Sequence, residues 1–323
     1  MKKENRVKNI PINKGNYAMD TPERIREFHR KLAIGWEEGY KEYRKNWNEY
    51  PQNQYVAEYP LLVDLELSSL CNLRCPMCYT ITEDFKKKVQ RQLMDRELFR
   101  KIIDEIAGKV TAVRLSWRGE STLHPEFVEF IKYCKDSGIG EVSFLTNCAR
   151  LDKEYFLQIA KAGADWMTIS VDGIGRQYED VRKPLKFEDT LQKIKDIYEI
   201  KKKNGWEKPV IKVQGIWPAI RNDPSAYYNA LAPYTDLVAF NPLIDYLDKD
   251  EDIIYEEDFA CPQFYQRLVI GSDGRALLCS NDEESGYILG DVKKESVYDI
   301  WHGERLNQAR KLHEAGAFGE IAV

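Results

Sequence analysis

The chain has 323 residues, of which 43% are hydrophobic and 31% charged, and its net charge is −5. That is a globular balance, long enough for one large domain with an appendage or for two domains. The acidic balance excludes a general attraction to nucleic acid, and no run of about 18 apolar residues is present to span a membrane. The N-terminus, MKKENRVKNIPINKG, is basic but lacks an apolar stretch, so no secretory signal is expected and the expected location is the cytoplasm.

Residues 1–57 read as a polar helical extension rich in aromatics. Trp36, Tyr40, Tyr43 and Trp47 recur at intervals of three or four, which places them on one helical face. Such a stripe is expected to pack on the main domain, with a substrate lid as the alternative.

From residue 58 the pattern changes to alternating strands and helices. Strands are predicted at 61–67, 111–117, 141–146, 166–171, 210–216 and 237–240. Helices are predicted near 95–107, 125–137, 152–163, 186–203 and 223–232, with Pro125, Gly138, Gly163, Gly205 and Pro224 as punctuation. Six such units over 58–243 imply a parallel sheet with helices outside it. The expected fold class is α/β: a partial (β/α)6 TIM-like barrel, preceded by the helical extension and followed by a small hairpin and helix module over 244–323.

The strands alternate in polarity, whereas parallel strands covered on both faces usually read as continuous apolar runs. Asp64 and Glu66 oppose Val63, Leu65 and Leu67, and Arg114, Ser116 and Arg118 oppose Val113, Leu115 and Trp117. Ser143, Thr168, Ser170, Lys212 and Gln214 continue the polar face. Burying unpaired polar groups costs about 1–3 kcal/mol each, so a wet or ligand-filled lumen is expected. The alternative is that these groups pair among themselves.

Seven cysteines are present, at 71, 75, 78, 134, 148, 261 and 279. Cys71, Cys75 and Cys78 fall within the segment SSLCNLRCPMCYT with C-x3-C-x2-C spacing, just after the first predicted strand. Thiolates suit iron–sulfur clusters, and a [4Fe–4S] cluster normally takes four cysteines. Three therefore leave one iron open to an external ligand. Zinc with a fourth ligand and three free thiols are the alternatives. Cys134, in an amphipathic helix, reads as packing.

The segment CNLRCPMCY resembles the signature of the radical S-adenosylmethionine (SAM) superfamily, and weaker elements follow in that family's order. Trp117-Arg118-Gly119-Glu120-Ser121 is similar to the GGEP element, departing from it at Arg118 and Ser121. Thr146-Asn147-Cys148 resembles TNG, with Cys in place of Gly, and Ser170-Val171-Asp172-Gly173 resembles SxDG. The resemblance covers about residues 58–243. It implies that Cys71, Cys75 and Cys78 hold a [4Fe–4S] cluster completed by SAM. It also implies SAM contacts from Tyr79, Gly119, Glu120, Ser121, Asn147, Ser170, Asp172, Arg182, Gln214 and Ile216. Cys148 is a candidate hydrogen-atom donor by its place at a strand end.

Cys261 and Cys279 flank FYQRLVIGSDGRALL, in which Ser272-Asp273-Gly274 is a hairpin signal. The segment resembles the twitch or SPASM modules that bind auxiliary [4Fe–4S] clusters. That pattern calls for a further CxxC pair after the last helix. Either the sequence stops short of that pair, or the module holds no complete cluster. The resemblance implies reductive SAM cleavage, a flavodoxin- or ferredoxin-type electron donor, and hydrogen-atom abstraction from a small sugar-like molecule. The expected substrate is a carbohydrate or aminocyclitol undergoing oxidation, epimerisation or dehydration. A peptide-modifying enzyme and a non-catalytic iron–sulfur scaffold or sensor are the alternatives. Asp64, Glu66, Lys212 and Asp245 are acid–base candidates by position alone.

Overall fold

The computed structural model describes residues 17–241, 261–317 and 320–321. Among the described residues, ten strands form one sheet. In chain order they are β1 (Tyr17–Ala18), β2 (Leu62–Leu65), β3 (Ala112–Arg114), β4 (Glu141–Thr146), β5 (Trp166–Ser170), β6 (Val210–Ile216), β7 (Leu237–Asn241), β8 (Arg267–Ile270), β9 (Arg275–Leu277) and β10 (Ile288–Asp291). Their order across the sheet is β1-β7-β6-β5-β4-β3-β2-β8-β9-β10. The six expected strands, β2 to β7, pair in parallel in sequence order. Helices connect them, among them Arg96–Ile106, Phe127–Asp136, Lys153–Ala162 and Phe187–Asn204. The result is the expected partial barrel. Among the described residues, no helix is long and apolar enough to cross a membrane.

Local chemistry explains the helix ends. Asp95 caps Arg96–Ile106 by accepting from the backbone N–H groups of Glu97 and Leu98, and Gly163 ends Lys153–Ala162 in the left-handed conformation. The first two strands are shorter than expected. Past Leu65 the chain keeps its sheet bonds irregularly, as in Glu66 N–H to the Ile270 carbonyl, while it bends into the cysteine loop.

The C-terminal module is not a separate sheet. Its first strand, β8, adds beside β2 in parallel, with Leu62 opposite Arg267 and Asp64 opposite Val269. The expected hairpin then forms between β8 and β9, turning through Gly274 at φ 87°.

The aromatic stripe packs, as the simpler expectation had it. Helix α1 (Pro22–Ala33) and helix α2 (Glu37–Gln52) bring Phe28, Trp36, Tyr40, Tyr43 and Trp47 against Leu61, Leu62, Ala112, Val210 and Leu237. These are residues at the N-terminal ends of the strands, so the stripe closes the bottom of the barrel.

Alternation along the strands is real, and Val63, Leu65, Val113, Phe144, Ile169 and Val213 join the helices in the main core. The wet lumen needs correcting on the β2–β3 side. Asp64 and Glu66 are wholly buried. Arg118 grips Glu66 through two bonds, at 2.6 and 3.0 Å, and Arg114 meets Asp64 at 2.7 Å. Those polar groups pair with one another, which lowers the cost that had argued for water, although Asp64 Oδ1 and Arg114 Nε have no hydrogen-bond partner among the described residues. Glu66 also accepts from the Ser272 N–H and hydroxyl, so it is a strut between barrel and module rather than an acid–base group. Asp245 lies outside the described residues.

Candidate functional site

The cysteine loop leaves β2 at its C-terminal end, where α/β barrels place their active sites. Its base is pinned: Ser69 N–H donates to the Gln92 carbonyl, and the Gln92 N–H donates to the Ser69 hydroxyl at 2.7 Å. Cys71 and Cys78 are half-buried and Cys75 is buried, and all three are free thiols. They lie within electrostatic reach of one another. Burial pushes the Cys71 thiol up and the Cys75 thiol up to about 11. Both are protonated at neutral pH without metal, so loading a metal must displace protons.

Among the described residues no group of three His, Cys, Asp or Glu side chains is arranged to hold a metal ion.

The second strand's loop is built around backbone approach. Gly119 has φ +67°, and a Cβ there would fall 2.3 Å from the Ser68 carbonyl oxygen and 2.6 Å from that of Leu70. Only glycine lets this loop lie against the root of the cysteine loop. The Glu120 N–H then donates to the Leu70 carbonyl at 2.8 Å. The buried Glu120 carboxylate accepts from the hydroxyls of Thr122 (2.6 Å) and Thr146 (2.8 Å) and from the Asn147 N–H (2.7 Å). Burial raises its pKa, while these donors act to lower it.

Asn147 joins the third loop to the cysteines. Its side-chain amide donates to Asn72 Oδ1 at 2.8 Å and lies 3.9 Å from Cys71 Sγ. On the fourth strand's loop, Arg182 pairs with Asp172 at 2.6 Å and acts electrostatically on Cys75. Ser170, Gln214 and Ile216 are half-buried at the ends of β5 and β6. Tyr79 opens a short helical turn after Cys78 and packs edge-on against Phe85, with ring centroids 5.8 Å apart. The residues expected on either side of this mouth are thus brought around one end of the barrel.

Cys148 is different. Its thiol is buried in the apolar core, and burial pushes it up to about 12. Its backbone has φ 68°, the conformation that explains a glycine at this place in the resembled motif. This placement lends no support to a hydrogen-donor role. Cys134 is buried packing, as expected.

Cys261 and Cys279 form a second, half-buried patch. Burial, and after it the charge of Cys279, pushes Cys261 up to about 12. The Cys261 N–H donates to His313 Nε2 at 3.0 Å, and the Asn281 N–H donates to Cys279 Sγ. The patch is fastened to the first site: the Trp117 indole donates to the Ser280 carbonyl at 2.8 Å, and Arg118 donates to the Glu283 carbonyl and the Ser285 hydroxyl at 3.0 Å. The motif's departure at Arg118 therefore has a physical reason.

Sequence reasoning missed Asn72, Thr122 and His313. Between Gln214 and Ile216, which the resemblance had singled out, Gly215 is a glycine inside a strand; a Cβ there would meet the Val171 carbonyl at 2.8 Å. A cleft of about 480 Å³ is lined by Arg150, Tyr155 and Lys193, among others.

The donor chemistry fits the group implied by these motifs. Three soft thiols share one loop, and the Ser121 hydroxyl beside Glu120 is buried with no partner among the described residues. Residues 65–217 match the family model of the radical SAM superfamily, and residues 261–319 match that of an iron–sulfur cluster-binding domain, SPASM. The first implies a [4Fe–4S] cluster with SAM, and the second implies auxiliary iron–sulfur clusters. The chain is 31% identical over 156 residues to the tungsten-containing aldehyde ferredoxin oxidoreductase cofactor-modifying protein of Pyrococcus furiosus, covering 46% of this chain and 42% of that protein. It spans less than half the length of the curated relatives it matches. Solved structures share its fold, BtrN and SuiB among them. BtrN, in complex with AdoMet and 2-DOIA, aligns with a TM-score of 0.56 at 15% identity, over 80% of this chain and 89% of BtrN. Streptococcus suis SuiB bound to S-adenosylmethionine aligns at 0.60 and 14% identity, over 84% of this chain and 72% of SuiB.

Proposed function

We propose that this chain, a member of the radical SAM superfamily with a SPASM domain, abstracts a hydrogen atom from a carbohydrate or aminocyclitol-type substrate. The observation that carries the reading is the convergence of Cys71, Cys75 and Cys78 with Gly119, Glu120 and Asn147 at one mouth of a barrel whose other end is closed. With an external electron, the cluster and SAM supply a 5′-deoxyadenosyl radical able to attack an unactivated C–H bond.

The chain's own residues bind and orient. The three thiolates hold iron. Glu120, Ser121 and the backbone at Gly119 take the SAM amino group, and Arg182 suits a carboxylate, although Asp172 competes for it. Ser170, Asp172, Gln214 and Ile216 face the nucleoside, and Tyr79 borders the cysteines. The α2 aromatic plug keeps solvent from entering behind the substrate. Residues 1–57, 58–243 and 244–323 serve as closing extension, radical SAM barrel and SPASM module, with Cys261 and Cys279 as auxiliary-cluster ligands. A flavodoxin- or ferredoxin-type protein supplies the electron.

A likeness to BtrN favours the aminocyclitol side of this reading, and SuiB, described bound to precursor peptide SuiA, keeps peptide modification as the rival. The test is anaerobic reconstitution, counting iron and following dithionite-dependent 5′-deoxyadenosine with sugars and with peptides. A sugar-dependent rise supports the reading. A peptide-dependent rise transfers it to the rival, and a cluster that leaves SAM intact rejects both.

A further inference from the structure

The turn after β4 is held on its inner side by Glu120 and on its outer side by two cations that the cofactor reading does not use. Inside, the Asn147 N–H donates to Glu120 Oε2 at 2.7 Å, and the Thr146 hydroxyl donates to Oε1 at 2.8 Å. The turn also bonds to itself. The Cys148 N–H donates to the Thr146 hydroxyl at 3.1 Å, and the Ala149 N–H donates to Asn147 Oδ1 at 2.9 Å.

Outside, Arg150 Nη1 donates to the Thr122 carbonyl at 2.7 Å. Thr122 belongs to the loop after β3, and its own hydroxyl donates to Glu120 Oε1 at 2.6 Å. The bonds close a circuit: Glu120 to Thr122, Thr122 to Arg150, back along the chain to Asn147, and Asn147 to Glu120. Lys193, on the helix Phe187–Asn204, reaches the same turn and donates to the carbonyls of Cys148 at 3.0 Å and Ala149 at 2.6 Å. The Tyr155 ring lies 5.6 Å from the Arg150 guanidinium and helps to orient it, and the Tyr155 hydroxyl donates to the Thr122 carbonyl at 3.4 Å.

The three acceptors of Arg150 and Lys193 are backbone carbonyls, so these charges fasten chain segments. A bond from a charged donor is roughly twice as strong as a neutral one. What they fasten decides how Glu120 is aimed. Among the described residues, Oε1 accepts from Thr122 and Thr146, whereas Oε2 accepts from Asn147 alone. A carboxylate oxygen has room for two donors, so Oε2 is the atom that can take one from a ligand. Its direction is set by the Asn147 N–H, and the place of that N–H is set by the turn.

We propose that Arg150, seconded by Lys193, is a positioning residue for SAM: it locks the turn after β4 to the loop after β3 from behind and so fixes the direction in which Glu120 Oε2 meets the SAM amino group. This rests on the reading of Glu120 as the acceptor of that group.

Arg150 is exposed and lines the cleft of about 480 Å³ together with Tyr155 and Lys193, so a small cation can reach its place from solvent. The full chain is reconstituted anaerobically and titrated with SAM by calorimetry without reductant, with iron content and a melting curve for each variant. R150A binds SAM about tenfold more weakly, the order of one charged hydrogen bond, with iron unchanged. R150K keeps most of the affinity, and millimolar methylguanidinium restores R150A without altering the wild type. Wild-type affinity in R150A overturns the proposal. A loss that neither lysine nor methylguanidinium repairs overturns it too, because it marks general loosening rather than a missing donor. Should R150A fail to fold, K193M with methylammonium decides by the same criteria. E120Q is titrated alongside. Weak binding by E120Q with wild-type affinity in R150A removes the clamp and keeps the Glu120 reading. A repairable loss in R150A with wild-type affinity in E120Q removes the Glu120 reading and assigns the effect of the clamp to Asn147.

Discussion

At their C-terminal ends the parallel strands run into loops held by close backbone approach and buried hydrogen bonds. At their N-terminal ends the same strands meet a stack of aromatic rings. Above, Gly119 accepts no side chain because the Ser68 and Leu70 carbonyls occupy the space, and Glu120 is held by three strong donors from two loops. Below, Tyr40, Tyr43 and Trp36 fill a cavity between Leu62, Ala112 and Val210, with ring centroids 5.3 and 6.1 Å apart in the Trp36 pairs. One end is specified by polar geometry and the other by apolar volume. Substitutions above should therefore change chemistry with little loss of stability, and substitutions below should do the opposite.

The largest effect is expected at the cysteines. Cys75→Ser should abolish SAM cleavage and most bound iron, while the melting temperature of the metal-free chain changes little; iron analysis and 5′-deoxyadenosine release measure this. An iron content like that of the wild type would break the comparison at its upper end. Tyr43→Ala should act in the other sense. Removing a buried aromatic ring costs about 3–5 kcal/mol, visible in urea unfolding, while iron per folded chain stays unchanged. Loss of iron from the folded fraction would mean that the two ends are not separable.

Glu120→Gln should come next. It keeps the shape and the contacts with Thr122 and Thr146 but removes the charge that, on the proposed reading, meets the SAM amino group. A charged hydrogen bond is worth about 1.5–3 kcal/mol, so SAM affinity should fall on the order of 10- to 100-fold by calorimetry with cluster content intact. An affinity equal to wild type would remove Glu120 from the SAM pocket and leave it as a loop brace.

The same contrast explains what could be read in advance. Strand and helix positions and the packing of the aromatic stripe were legible because periodicity reports which face is buried. The cysteine loop was legible because three thiols at that spacing serve few chemistries. The state of the polar face was not. Alternation tells that Asp64, Glu66, Arg114 and Arg118 point one way, but not that they meet in pairs. Nor does it tell that β8 returns beside β2, since that pairing joins residues some 200 positions apart. Asn72 and Thr122 carry no sequence signal because their roles are set by which loops come together. Cys148 misled because its position looked chemical, whereas its side chain turns into the core.

Glu141 tests the lower end most finely, because it is a buried carboxyl placed among the plug's rings. Burial raises its pKa from 4.5 to about 7, with the Trp166 indole acting to lower it. The folded state therefore binds a proton more tightly than the unfolded state. Between about pH 4.5 and 7 the folded chain holds more protons, so this group's contribution is fully present below that range and is lost as pH rises through 7. At about 1.4 kcal/mol for each tenfold difference in proton affinity, the loss reaches at most about 3 kcal/mol. Glu141→Gln keeps an acceptor for Trp166 and cannot ionise. Relative to wild type it should be near neutral at about pH 4 and more stable at about pH 8, by up to that amount. Unfolding both proteins in urea at the two pH values cancels the slopes of all other carboxylates. A difference that does not change with pH would mean that Glu141 ionises freely, and that the plug admits water where the rings are taken to exclude it.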